Sequence, residues 1–314
     1  MSAQATPAPP SRTRIFFRRL ISSVILWAVV LGAMFSGHKV LSDAVFVTIM
    51  LVLTGFGLAE FYELADKRGQ VCFKGWGVVG GVLLILFTFL HFIGALGISG
   101  TPPRVNDFET SFLIVFVLGL CVLQLYSKSK TCGVASISTT LFGLMYVAWL
   151  LNFIQKIYYF PKLERGYHVE GAYYVLYFIL ITKLSDTGAY VVGSLIGKHK
   201  MIPRISPGKT WEGFAGALII SALASLAFGH FARAHLSGIT HWHALVLGIA
   251  LGATAVVGDL IESLFKREAG VKDSGRYFPG IGGILDLVDS LLFNAPLMYL
   301  YLRHVLTNPL LMAP

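Results

Sequence analysis

The groups best suited to chemistry lie in segment 258–290, which reads GDLIESLFKREAGVKDSGRYFPGIGGILDLVDS. Carboxylates, cations and a glycine-rich turn are combined there, the charged residues including Asp259, Lys266, Arg267, Lys272, Asp273, Asp286 and Asp289. Asp286 and Asp289 are three residues apart at a predicted helix start, so both carboxylates project from one helix face. The acids favour a metal site, and the cations favour binding of phosphate groups.

A second segment, 193–213, has the composition of an anion-binding loop. It reads GSLIGKHKMIPRISPGKTWEG, in which lysines flank a Pro-Gly pair where backbone N–H groups can approach an anion. A P-loop is excluded, because only three residues separate Gly193 from Gly197 and His199 stands where Ser or Thr is required.

The elements that must position these segments are membrane-spanning helices. Of the 314 residues, 55% are hydrophobic and only 13% are charged, too few charges to cover a soluble protein. The apolar residues fall in runs of about 20, the length with which a helix crosses roughly 30 Å of hydrocarbon. The sequence therefore predicts an all-α polytopic membrane protein. Its net charge of +9 fits topology signals and anionic lipid or substrate better than nucleic acid.

We predict a disordered tail over 1–13, because its Ala, Pro, Ser and Thr residues cannot form a core. One membrane domain follows over 14–314, divided into N-terminal helices (14–170) and catalytic helices with cytoplasmic loops (171–314). Nine spanning helices are expected: Ile15–Phe35, Val40–Ala59, Trp76–Ile98, Ser111–Tyr126, Val134–Ile154, Gly171–Val192, Phe214–Arg233, Ala244–Leu260 and Gly283–Tyr301.

The distribution of positive charge predicts a cytoplasmic N-terminus. On this topology seventeen of the 25 Lys and Arg residues fall in cytoplasmic segments, and Lys183 falls within a span. Both candidate segments then face the cytoplasm.

A divalent cation is expected at the acidic residues. Asp259, Asp286 and Asp289 at one membrane depth would repel each other and be costly to desolvate without one. Mg²⁺ prefers oxygen ligands and often shares them with substrate phosphates, which makes a nucleoside triphosphate a natural ligand. A second cation stays open. The alternative, a helix cap, explains one carboxylate but not two on one face.

The stretch ESLFKREAGVKDSGRYFPGIGGILDLVDS resembles the signature of the phosphatidate cytidylyltransferase (CDP-diacylglycerol synthase) family. SPGKTWEGFAG, preceded by SDTGAYVVGSLIGKHK, is similar to that family's second conserved block. The resemblance implies a helical membrane enzyme that makes CDP-diacylglycerol and pyrophosphate from CTP and phosphatidate with Mg²⁺. We expect it in the bacterial inner membrane, with its active site facing the cytoplasm.

Carried over residue by residue, the resemblance implies metal binding by Asp259, Asp286 and Asp289. The predicted catalytic group is these three with Lys266 and Lys272. The predicted substrate-binding group is Asp186, Ser206, Lys209, Arg267 and Asp273. Two positions depart from the family pattern, which commonly has His where this chain has Ile281 and Arg where it has Leu287. Those two roles therefore cannot be transferred.

Several alternatives stay open. Lys183 and Asp186, three residues apart, could form a structural ion pair, or Asp186 could belong to the site.

Rival functions are a proton-coupled transporter, a CDP-alcohol phosphotransferase and a cytidylyltransferase or kinase acting on a polyprenol or ether lipid. The phosphotransferase pattern spaces its acids four apart, whereas DLVD spaces them three apart. The expected partners are CTP, phosphatidate and membrane lipid, with no nucleic acid; a homodimer is compatible with the sequence.

Overall fold

The structure, a computed structural model, describes residues 29, 31–32, 35, 38–96, 102–127, 133–160, 171–236, 238–275 and 282–306, with backbone only at 102–104. Apolar runs form helices throughout these ranges. They are α1 Lys39–Lys67, α2 Lys74–Phe92, α3 Pro102–Tyr126, α4 Val134–Gly143, α5 Leu150–Tyr158, α6 Gly171–Ile196, α7 Trp211–Phe231, α8 His241–Glu268 and α9 Ile284–Tyr301. A π-helical turn, Leu144–Trp149, joins α4 to α5, and another, Leu302–Leu306, follows α9.

Eight helical stretches in the described part of the chain are long and apolar enough to cross a membrane. The predicted all-α polytopic fold is therefore confirmed. The first predicted helix, Ile15–Phe35, and the tail over 1–13 lie outside the described residues except at a few scattered positions. The count of nine helices and the cytoplasmic N-terminus stay predictions.

Helices α1, α3 and α8 are longer than predicted, and α2 is shorter. The predicted start at Ser111 is wrong, because α3 begins at Pro102, and the predicted end at Ile98 is wrong, because α2 ends at Phe92. The predicted ends at Ala59 and Leu260 are wrong, because α1 continues to Lys67 and α8 to Glu268. Apolar side chains explain the extra turns: Phe61 of α1 packs edge-on against Phe265 of α8, with ring centroids 6.0 Å apart. Asp259 therefore lies inside α8 instead of closing it, and Lys266 and Arg267 are helical residues too.

The predicted loop over 193–213 contains an ordered antiparallel hairpin. Strand β1 is Lys200–Ile202 and strand β2 is Ser206–Thr210, with Lys200 opposite Thr210. The carboxylate of Glu212 accepts the N–H groups of Lys198 and His199 at 3.1 to 3.3 Å, which holds the segment before β1 against the start of α7. The hairpin is therefore tied to the end of a spanning helix.

The C-terminal helices form the tightest part of the bundle. Helix α7 packs between α6 and α8, and α9 packs against α8 and α5. Helix α1 from the N-terminal half also contacts α9. This arrangement brings the start of α9 and the second half of α8 together.

A buried ion pair joins three N-terminal helices. Lys156 of α5 contacts Glu109 of α3 at 2.5 Å, and both side chains are about 95% buried. Asn152 donates to the same carboxylate at 2.6 Å and to Thr88 of α2 at 3.2 Å. The two charges compensate each other in a buried setting, so neither can be removed alone without cost.

We expect Lys156→Met to lower the free energy of unfolding by about 3–5 kcal/mol, because it leaves the Glu109 carboxylate buried and unpaired. The double variant Glu109→Gln with Lys156→Met should recover a large part of that loss. Unfolding in detergent micelles, followed by circular dichroism, measures both values. A single-variant loss below about 1 kcal/mol, the range of exposed pairs, would contradict this role.

Candidate active site

Three carboxylates from α8 and α9 converge at the cytoplasmic half of the predicted topology. One oxygen from each of Asp259, Glu262 and Asp289 lies within 4.8 Å of the other two. Asp259 and Glu262 are three residues apart on α8 and share a face, while Asp289 projects from α9 toward them. Glu262 is fully buried and Asp289 is 8% exposed. Oxygen donors in such a set are those that Mg²⁺ prefers, so these residues fit a divalent cation.

Close approach of α8 and α9 makes this convergence feasible. Gly258 immediately precedes Asp259, and a Cβ atom at position 258 would lie 2.7 Å from the carbonyl oxygen of Asp289. It would also lie 3.1 Å from the Cα of Ser290. Only glycine leaves room for the two backbones at this distance.

Two lysines are attached to the acidic set. Lys209 of β2 contacts Asp259 at 2.8 Å and donates to the carbonyl of Val256 at 3.1 Å. Lys266, one turn after Glu262 on α8, forms an ion pair with it and contacts Asp286 at 2.7 Å. Both carboxylate oxygens of Glu262 are buried, and the ammonium of Lys266 compensates their charge. Buried carboxylate oxygens that face a cation in this way are also suited to a metal ion.

Asp286 has a different environment from Asp289. Its Oδ2 accepts the N–H of Gly283 at 3.0 Å and that of Ser274 at 3.3 Å, so it caps the first turn of α9. It is not a member of the three-carboxylate set. The cap interpretation therefore describes Asp286, and its predicted role as a metal ligand stays a prediction.

Asp186 both pairs with Lys183 and faces the site. The two charged groups are 3.8 Å apart, and Asp186 also accepts from Ser290 at 3.4 Å. Lys183 donates to the carbonyl of Leu287 at 3.0 Å, which places a cation against the backbone of that position. The two interpretations of Asp186 are therefore compatible.

Four of the five predicted substrate-binding residues line one of two cavities. A cavity of about 390 Å³ is lined by Asp186, Ser206, Lys209 and Asp259, with Tyr190 and Phe214 on its wall. A cavity of about 610 Å³ is lined by residues that include Lys67, Lys272, Asp273 and Ser274. The first cavity is adjacent to the acidic set through Asp259.

Some predicted residues lie apart from these cavities or outside the described chain. Arg267 donates from Nε to the carbonyl of Ile205 at 3.1 Å, so it tethers the hairpin turn to α8. Its predicted substrate contact stays a prediction. Ile281 lies outside the described residues, and the consequence of its replacing His stays open.

Sequence reasoning missed two residues, Glu262 and Glu60. Glu262 could have been found, because it is three residues after Asp259 and the helix continues beyond Leu260. On the helix that carries Glu60, Lys67 pairs with Glu63, at 2.8 Å. Glu60 is fully buried against the start of α9, a contact that no local pattern could reveal.

Comparison with known proteins defines the class. The sequence profile of the cytidylyltransferase family matches residues 17–305, and the chain belongs to that family. The chain is 49% identical over 247 residues to a phosphatidate cytidylyltransferase from Staphylococcus epidermidis, covering 71% of this chain and 91% of the relative. It is 32% identical over 298 residues to one from Haemophilus influenzae, covering 92% and 99%. The resemblance to phosphatidate cytidylyltransferases is thus confirmed.

Gly258→Ala should weaken divalent-cation binding about tenfold or more, because the added methyl group separates α8 from α9 and overpacking costs about 1–3 kcal/mol. Binding of Mn²⁺, which shares oxygen ligands with Mg²⁺, can be measured by electron paramagnetic resonance. Gly55→Ala is the matched control, since its Cβ would lie at an ordinary 3.8 Å from Val82. Equal affinity in the two variants would contradict the proposed geometry.

Proposed function

We propose that the chain is a Mg²⁺-dependent phosphatidate cytidylyltransferase of the bacterial inner membrane, with its active site facing the cytoplasm. Membership of the cytidylyltransferase family supports an enzyme that transfers CMP from CTP to a lipid within a membrane. The observation that carries the proposal is the set of Asp259, Glu262 and Asp289 beside a cavity whose lining includes Lys209. Phosphoryl-type transfer depends on such positioning of charge.

The proposed reaction balances without a covalent enzyme intermediate. A phosphate oxygen of phosphatidate attacks the α-phosphorus of CTP and forms a new P–O bond. The bond between that phosphorus and the oxygen bridging to the β-phosphate breaks, and its electron pair leaves with pyrophosphate. Phosphatidate is already anionic, so no strong general base is required.

The residues of the chain would act by orientation and by charge. Lys209 lies on the hairpin at the wall of the cavity, 2.8 Å from Asp259, where its ammonium can exchange a carboxylate for a phosphate oxygen. Lys266 is held by Glu262 and Asp286 and so faces the start of α9. Preorganised cations in a partly dry site stabilise developing negative charge with little reorganisation. Mg²⁺, bound by Asp259, Glu262 and Asp289, would supply further positive charge to the phosphates.

The second cavity adds cations at the membrane surface. Lys67 and Lys272 line it, and Ser274 links its wall to Asp286 through a backbone N–H at 3.3 Å. We infer that Lys272 and Asp273 contact substrate there, while Asp186, Ser206 and Lys209 do so in the first cavity. The two substrates then approach one acidic set from neighbouring walls.

The family match favours nucleotidyl transfer over the transporter and CDP-alcohol phosphotransferase hypotheses. Among lipid acceptors, phosphatidate is supported by the names of several relatives. A polyprenol or ether lipid would need its own phosphate to replace phosphatidate in this reaction.

Purified protein should incorporate radiolabelled CTP into a chloroform-soluble liponucleotide only when phosphatidate and Mg²⁺ are both present. Thin-layer chromatography identifies the product, and released pyrophosphate should match it in amount. Diacylglycerol in place of phosphatidate is the control, since it lacks the attacking phosphate. Absence of product with phosphatidate would exclude the proposed function.

Two sets of metal ligands have been considered: Asp259 and Asp289 with Glu262, from the structure, or with Asp286, from the sequence. Replacing single carboxylates by amides distinguishes them. Asp289→Asn and Glu262→Gln should each lower kcat by at least about 100-fold, because each removes a buried ligand to the cation, an effect typical of such sites. Asp286→Asn should act chiefly through the helix cap and Lys266, so raising Mg²⁺ should not rescue it. Glu268→Gln is the matched control, since that carboxylate pairs with Arg68 at 2.5 Å on the surface end of α8. Full activity of Glu262→Gln would contradict a ligand role for Glu262 and would favour Asp286 as the third ligand.

A further inference from the structure

The carboxylate of Glu60 lies where the two halves of the chain meet. Glu60 is on α1 and is fully buried. Its Oε1 accepts the N–H of Ile284 at 3.0 Å, and its Oε2 accepts the N–H of Leu285 at 2.8 Å. These are the first two N–H groups of α9, which have no acceptor within the helix. Helices usually take this cap from an adjacent residue, but here α1 supplies it.

Ser274 and Gly275, which precede α9 in the chain, lie against the same carboxylate. Ser274 donates its hydroxyl to Oε2 of Glu60 at 3.2 Å, and its backbone N–H goes to Asp286 at 3.3 Å. A Cβ atom at Gly275 would collide with the Glu60 carboxylate. These residues form one contact cluster, which we call the Glu60 cluster: Glu60, Ser274, Gly275, Gly283, Ile284 and Leu285.

The Glu60 cluster is adjacent to the acidic set without belonging to it. Asp286 follows Leu285 directly, and Asp289 lies one helical turn after Leu285. Glu60 is not a member of the three-carboxylate set. Its negative charge is compensated by the positive end of the α9 dipole. It can therefore act on the site through the placement of α9.

We propose that Glu60 is a positioning residue, whose carboxylate fixes the first turn of α9 where Asp286 and Asp289 meet the charged groups of α8. The test of this role by the Mg²⁺ dependence of activity rests on the proposed function, whereas the test by hydrogen exchange does not. A residue that merely stabilised the bundle would change the amount of folded protein and leave the properties of the folded site unchanged.

Glu60→Gln is the informative variant because it preserves volume. The amide oxygen can accept one N–H, but the amide NH₂ faces the second N–H, so one charge-assisted hydrogen bond is lost. We expect the Mg²⁺ concentration for half-maximal activity to rise about tenfold, in proportion to such a loss.

Hydrogen exchange supplies a readout without activity. In Glu60→Gln the amides of Ile284 and Leu285 should exchange about tenfold faster than in the wild type, because the start of α9 opens more often. The control is Asp66→Asn, on the same helix, where the carboxylate pairs with Lys74 at the surface. It should keep wild-type exchange and Mg²⁺ dependence.

Ser274→Ala tests the proposal if Glu60→Gln fails to fold. It removes one hydrogen bond to the same carboxylate and should shift both readouts in the same direction by a smaller factor. Wild-type exchange at Ile284 and Leu285 together with wild-type Mg²⁺ dependence, in whichever variant folds, overturns the proposal. If the wild-type protein makes no liponucleotide, the proposed function fails, and exchange alone then decides the role of Glu60.

Discussion

Mutual repulsion of carboxylates that are wholly or partly buried is the constraint around which the catalytic half is arranged. At an effective dielectric constant of 20, two unit charges about 5 Å apart repel by roughly 3 kcal/mol. Asp259, Glu262 and Asp289 make three such pairs within 4.8 Å. Around them, three lysines (Lys183, Lys209, Lys266) form ion pairs with Asp186, Asp259, Glu262 and Asp286. A divalent cation would reduce the repulsion that remains among the three clustered carboxylates.

The rest of the fold holds these charges together against their repulsion. Gly258 lets α8 and α9 approach, and the hairpin brings Lys209 to Asp259 from the opposite side. Helix α1 caps α9 through Glu60, so the N-terminal half is part of the structure that positions the site. Each of these contacts fixes the position of a backbone segment or of a charged group, and phosphoryl-type transfer depends mainly on such positioning.

Composition and apolar run length were sufficient to predict the helical membrane fold, because both periodicity and length are local properties. Asp259 and Asp289 could also be predicted as site candidates, because acidic residues within apolar spanning helices usually have a functional role. Helix ends were not predictable where extra turns pack on each other, as Phe61 and Phe265 do. Glu60 could not be assigned because its partners are more than two hundred residues away. The separate environments of Asp286 and Asp289 depend on the N–H groups of Ser274 and Gly283, which donate to Asp286 and whose positions spacing alone does not predict.

The central claim is that Asp259, Glu262 and Asp289 together bind one divalent cation. Crystals of the protein grown with Mn²⁺ test it most directly, through anomalous scattering at the manganese absorption edge. We predict one anomalous peak coordinated by an oxygen from each of the three side chains, with Asp286 still hydrogen-bonded to Gly283. A peak bound elsewhere, or three carboxylates without manganese at saturating concentration, would contradict the account.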